Sequence, residues 1–189
     1  GKLKQYSAIP LWRIMRGYMK DMIEALLDIP EETQTIEFKR LDGQKVVSKI
    51  AETIVAMANT DGGQIIIGID DPEKTKLSGT ERIFGIEENL ELFDEVQRTL
   101  QRIVPPISEV ANPSILKVED CGKNVAILSI PKATECFHAV NNHVYIRLQK
   151  GNKRLSPQEI IKMSYAKGFE KADKELVKVD FELLDTAAY

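Results

Sequence analysis

Four carboxylates and one lysine have the types and spacing to do chemistry in this chain. Glu32 and Glu37 lie five positions apart, Lys39 follows, and Asp70 and Asp71 stand together after an apolar run. Glu37 and Lys39 belong to TQTIEFK (33–39), where Thr35, Glu37 and Lys39 alternate with Ile36 and Phe38, the pattern of a strand. The two aspartates leave QIIIGI (64–69), apolar on both faces as in a central strand. Between them KVVSKIAETIVAMA (45–58) carries a broad apolar stripe and reads as a helix with a buried face. A right-handed strand–helix–strand crossover makes the two strands parallel and close, so the carboxylates can converge at one sheet margin. Such a cluster suits Mg²⁺ or Mn²⁺, which take hard oxygen ligands and leave positions for water and phosphate. An ion held there polarises a phosphate and activates water. A plainer reading stands beside it. Glu37 and Lys39 can pair along one strand face, and Asp70-Asp71-Pro72 is an ordinary strand-exit turn.

Two basic clusters come next. Lys39, Arg40, Lys45 and Lys49 surround the first strand and the helix after it. Arg147, Lys150, Lys153 and Arg154 form the second, in RLQKGNKR, with Gly151 and Asn152 among them. Flexible glycine, four cations and an amide donor fit a phosphate-contacting loop, and they equally fit a solvated charged turn. Cys121, Cys136, His138 and His143 lack the spacing of a standard zinc finger, so zinc is not expected. Gly62-Gly63 follows a helix and lacks the phosphate-loop spacing, so no ATP site is expected. Gly68, inside the central strand, points to a close approach by a helix or a ligand.

The remaining elements must hold these residues in place. Residues 10–28 have helical apolar spacing, opened by Pro10 and stopped by Pro30. A polar loop covers 72–81 and a helix 90–104, ended by Pro105-Pro106. Strands are expected at 114–119, 124–130 and 137–148, the last broken by an Asn141-Asn142 hairpin turn. Ser156-Pro157 with Glu159 opens a final helix. This order predicts an α+β fold, a single domain with a central, mostly antiparallel sheet flanked by helices. Residues 1–30 read as an N-terminal helical segment, 31–168 as the domain, and 169–189 as a charged tail or linker, the front part of a longer protein.

The 189 residues suffice for one domain with a proper core, and 43% hydrophobic with 29% charged residues is a globular composition. A net charge of −3 and a pI near 5.6 mean that any grip on nucleic acid rests on a local patch. Two cysteines and no secretory leader point to a reducing, cytoplasmic setting, and no run reaches the ~18 apolar residues of a membrane span.

Taken together, ETQTIEFKR, AMANT, DGGQIIIGIDD and VYIRLQKGNKRLSPQEI resemble the Schlafen-type AlbA-like domain. That family runs E-x4-E-F-K, then A-N-T-x-G-G, then an apolar strand ending I-G-V/I-D-D, then a late Y-x-R-x-G and S-x-x-E-I. Here the stretch between Arg147 and Gly151 is longer than the commonest R-x-G form. The resemblance implies a small α+β domain that handles structured RNA or DNA. In Schlafen proteins two lobes form a basic groove, and three carboxylates act as a metal-dependent endoribonuclease site on tRNA-like substrates. Those carboxylates would correspond to Glu32, Glu37 and one of Asp70 or Asp71, with Lys39 as phosphate partner. Other members sit at the front of transcriptional regulators and bind DNA without cleaving. A homodimer is expected to supply the second lobe. A protein-interaction or dimerisation domain is the third reading, favoured by the acidic pI.

Overall fold

The β-α-β crossover forms as its hydrophobic periods require. A computed structural model of the chain describes residues 10–169. Strand β1 (Ile36–Lys39) runs into helix α2 (Lys45–Ala58) and returns as β2 (Gly63–Ile67), parallel to β1 with Glu37 opposite Ile65 and Lys39 opposite Ile67. Strands β3 (Ser114–Val118) and β4 (Lys123–Ile130) add antiparallel, and the sheet order is β1-β2-β4-β3. β2 is therefore paired on both sides, and Ile65, Ile66 and Ile67 are fully buried. Removing each isoleucine side chain from water contributes roughly 2 kcal/mol.

The two sheet faces carry different helices. Ile65, Ile67, Ala126, Leu128 and Ile130 pack with α2 and with α3 (Leu90–Leu100). Phe38, Ile66, Val125, Ile127, Leu116 and Val118 pack against Ile23 and Leu26 of α1 (Leu11–Leu27). The architecture is α+β, with helices on both faces of a four-stranded mixed sheet. No helix among the described residues is long and apolar enough to cross a membrane.

Three expectations are corrected. Of the strand expected in 137–148 on both sides of an Asn141-Asn142 turn, the turn forms, but only Tyr145–Leu148 (β5), after it, is extended ladder. Both asparagines have positive φ, 50° and 62°, and Val140 and His143 exchange backbone hydrogen bonds across them, as a tight hairpin requires. RLQKGNKR is not a loop. It forms a hairpin of β5 and β6 (Gly151–Arg154), a second small sheet that packs on α2. The neighbour of Gly68 is neither helix nor ligand. Its carbonyl accepts the N–H groups of Phe84 and Gly85, and a Cβ at Gly68, which has φ +103°, would sit 2.9 Å from the Gly85 backbone. The final helix α4 (Pro157–Lys167) begins as expected. Ser156 and Glu159 form a reciprocal capping box, with Pro157 in the first turn.

Candidate functional site

Parity along β1 puts Glu37 and Lys39 on the α2 side of the sheet, beside the β5–β6 hairpin. Glu37 is 4% exposed. The Lys39 ammonium donates to one of its carboxylate oxygens, and the Arg147 guanidinium of β5 donates to the other. Arg147 is itself 1% exposed. It also donates to the Thr33 carbonyl (3.2 Å) and the Asn152 side-chain oxygen (3.0 Å), and Asn152 donates to Thr53 Oγ1 of α2 (2.9 Å). Its Nε is the one described buried side-chain polar atom with no partner. Arg147 and Asn152 are therefore corrected as phosphate contacts: both face inward. The guanidinium neutralises a buried carboxylate, which alone in a low-dielectric site would be strongly unfavourable.

Glu32 has a different task. Its Oε1 accepts the Phe38 N–H at 2.9 Å, and the Thr33 N–H bonds the Ile36 carbonyl, so residues 32–36 fold over the open edge of β1. Glu32 is buried, and burial holds its carboxyl above the ordinary value of 4.5, with the nearby charges of Glu37 and Asp71 adding to the effect.

Beyond β2 the two aspartates diverge. Asp71 is 6% exposed, and its Oδ2 lies 2.6 Å from Lys74 Nζ, which is also 4.0 Å from Glu32. Burial alone would raise the Asp71 carboxyl; Lys74 and the Glu73 N–H (3.0 Å) outweigh it and hold it below the ordinary value. Asp70 is anchored by its backbone, which exchanges hydrogen bonds with Arg82. Of the two, Asp71 stands with Glu32 and Lys74. Lys74 had no signal beyond its i+3 spacing from Asp71 in a polar loop.

The carboxylates gather at one margin, but cations interleave them. Glu37 is engaged by Lys39 and Arg147, and Lys74 bridges Asp71 towards Glu32. No three His, Cys, Asp or Glu side chains among the described residues are placed to hold one ion. This arrangement does not fit a three-carboxylate Mg²⁺ or Mn²⁺ centre.

The remaining cations divide by partner. Lys150 is held between Glu31 (2.7 Å) and Glu73 (2.8 Å), Lys153 by Glu159 (2.6 Å), and Arg40 by Glu88 with its guanidinium 3.3 Å above the Phe84 ring. Lys49 pairs weakly with Glu52 on the surface of α2 (3.2 Å). Lys45 and Arg154 are exposed and form no ion pair with described residues. Arg154 is the β-ladder partner of Tyr145, whose hydroxyl is pushed up by burial and by Glu52, opposed by Arg154 and Lys49. Lys49 and Arg154 thus lie beside Tyr145, and Lys45 stands one helical turn before Lys49 on α2.

Sequence reasoning missed Asn59 and Thr60 as structural residues, although AMANT was visible. The Asn59 amide donates to the His138 and Tyr145 carbonyls (both 2.9 Å) and accepts the His138 N–H (2.8 Å). Thr60 Oγ1 accepts the Arg147 N–H at 2.8 Å. The end of α2 is in this way bolted to β5.

These features define a class: an α+β domain whose β-α-β unit is clamped by a hairpin through a buried arginine–glutamate pair. Residues 32–156 match the Schlafen, AlbA_2 family, and the chain belongs to it. Among solved structures it is similar to the DIP2311 protein of Corynebacterium diphtheriae, at 18% identity over 82% of this chain and TM-score 0.47. The chain spans only 34% of that protein's length. It is also similar to the N-terminal domain of a putative ATP-dependent DNA helicase RecG-related protein from Nitrosomonas europaea. That likeness is 22% identity over 73% of this chain and 93% of that one, with TM-score 0.43. No curated protein matches it.

Proposed function

We propose that this domain binds nucleic acid through the face of α2 and the β5–β6 hairpin, with Lys45, Lys49 and Arg154 meeting phosphates. The observation that carries the reading is the partition of cations: most basic residues at the carboxylate margin are already neutralised, whereas Lys45 and Arg154 form no ion pair with any described residue. Phosphate contacts of this kind position a strand without reading its sequence. Tyr145, half-buried beside Lys49 and Arg154, adjoins this face.

The test is fluorescence anisotropy with labelled tRNA, a single-stranded oligonucleotide and duplex DNA. Binding should weaken at least about tenfold in the triple variant Lys45→Glu, Lys49→Glu, Arg154→Glu, since reversing surface charges acts on both attraction and counterion release. Unchanged affinity would remove this face from the reading. The endoribonuclease expectation is read in parallel, by incubating the protein with tRNA and Mn²⁺. Cleavage that disappears in Glu37→Ala while the melting temperature and the tRNA affinity stay at wild-type values would establish catalysis, and cleavage that persists would exclude Glu37 from it.

A further inference from the structure

Helix α1 carries an outer face that no described residue of its own chain is shown to cover. Its inner face, Ile23 and Leu26 with Met19 beside them, packs on the sheet. Its outer face leaves Leu11 72%, Ile14 56% and Tyr18 65% exposed, a contiguous apolar strip of the sort that marks interaction sites. Gly17 sits inside this strip. A glycine in a helix interior is unfavourable, because it gives up the most backbone freedom. Nothing described here requires it: a Cβ at Gly17 would meet no atom within 4 Å. The shallow notch around it is lined by Arg13, Ile14, Gly17, Tyr18 and Asp21.

Two opposite charges on this face are also unpaired among the described residues, unlike those on the other side of α1. Arg16 reaches Glu119 and Lys20 reaches Glu24, but Arg13 and Asp21 have no ion-pair partner among the described residues. Arg13, Gly17 and Asp21 stand at i−4, i and i+4, one ridge of the helix, with the two charges about 6 Å to either side of the glycine.

We propose that α1 pairs antiparallel with α1 of a second copy of this chain, crossing at Gly17. Only an antiparallel pair sets Arg13 of each copy against Asp21 of the other. A parallel pair would oppose Arg13 to Arg13. The two-fold arrangement is self-complementary, as a closed dimer requires. Gly17 allows the two backbones to approach, and Ile14 and Tyr18 close over the crossing. The contact is small, so association is reversible and depends on concentration. The proposal does not depend on the nucleic-acid reading.

The test is sedimentation equilibrium of the whole chain from about 1 to 300 μM, a range suited to a small interface. Wild type should shift from one chain mass towards two. Gly17→Leu should abolish the shift while the thermal midpoint stays equal or rises, because the site is open and leucine favours helix. Arg13→Asp and Asp21→Arg should each weaken association by about tenfold or more, and the double variant should restore it, since the exchanged charges again face each other. A single-chain mass at every concentration would overturn the proposal, and would follow if another segment of the same chain covered this face. Dimerisation that survives Gly17→Leu, or a double variant that fails to recover, would overturn it equally.

Discussion

At the scale of single residues, burial and partner decide what each charge can do. Glu32 is the clearest case. Burial raises its folded pKa above 4.5, so the folded state holds its proton more tightly than the unfolded chain does. Its effect on stability is therefore favourable below the ordinary value and is lost as pH rises through the raised one. Glu32→Gln stays neutral at every pH and still offers an oxygen to the Phe38 N–H. It should raise the melting temperature at pH 7, and the gain should shrink towards zero as pH falls below the ordinary value. A lower melting temperature than wild type at pH 7 would mean that the carboxylate's charge is needed for the fold. The pairing of Glu37 with Lys39 was legible from parity along one strand. The inward turn of Arg147 was not, because its partner Glu37 lies 110 positions away and nothing local distinguishes it from the solvent-facing Arg154.

At the scale of elements, hydrophobic period carried most of the reading. The helices at 11–27, 45–58, 90–100 and 157–167 and the central isoleucine strand were all visible in it. The β5–β6 hairpin was not. Its turn residues, Gln149 and Lys150, carry no Asn-Gly signal, and the charge of GNKR hides a strand that packs on α2. What joins these elements is a few side-chain hydrogen bonds, with Asn59 making three. Asn59→Ala should cost about 2–4 kcal/mol, since it strands buried or half-buried backbone groups of His138 and Tyr145. Urea unfolding measures this, and a loss below about 1 kcal/mol would mean that those groups find other partners.

At the scale of the molecule, a net charge of −3 limits what binding can look like. If three cations carry the contact, the logarithmic slope of affinity against salt should be shallow, about −2 to −3. A slope steeper than about −5 would require a larger basic surface than this face provides. The family was readable because its marks are dense between residues 32 and 156. Several of those marks now have structural duties: Asn59 and Thr60 bolt a helix end to a hairpin, Gly63 lies against Thr35 where a Cβ would collide at 2.5 Å, and Arg147 fills a buried charge pair. A chain could therefore lose every catalytic or binding group at its surface and still display the family signature intact. Recognition by these residues sorts proteins by scaffold, and membership alone leaves open which of them bind, cut or only assemble.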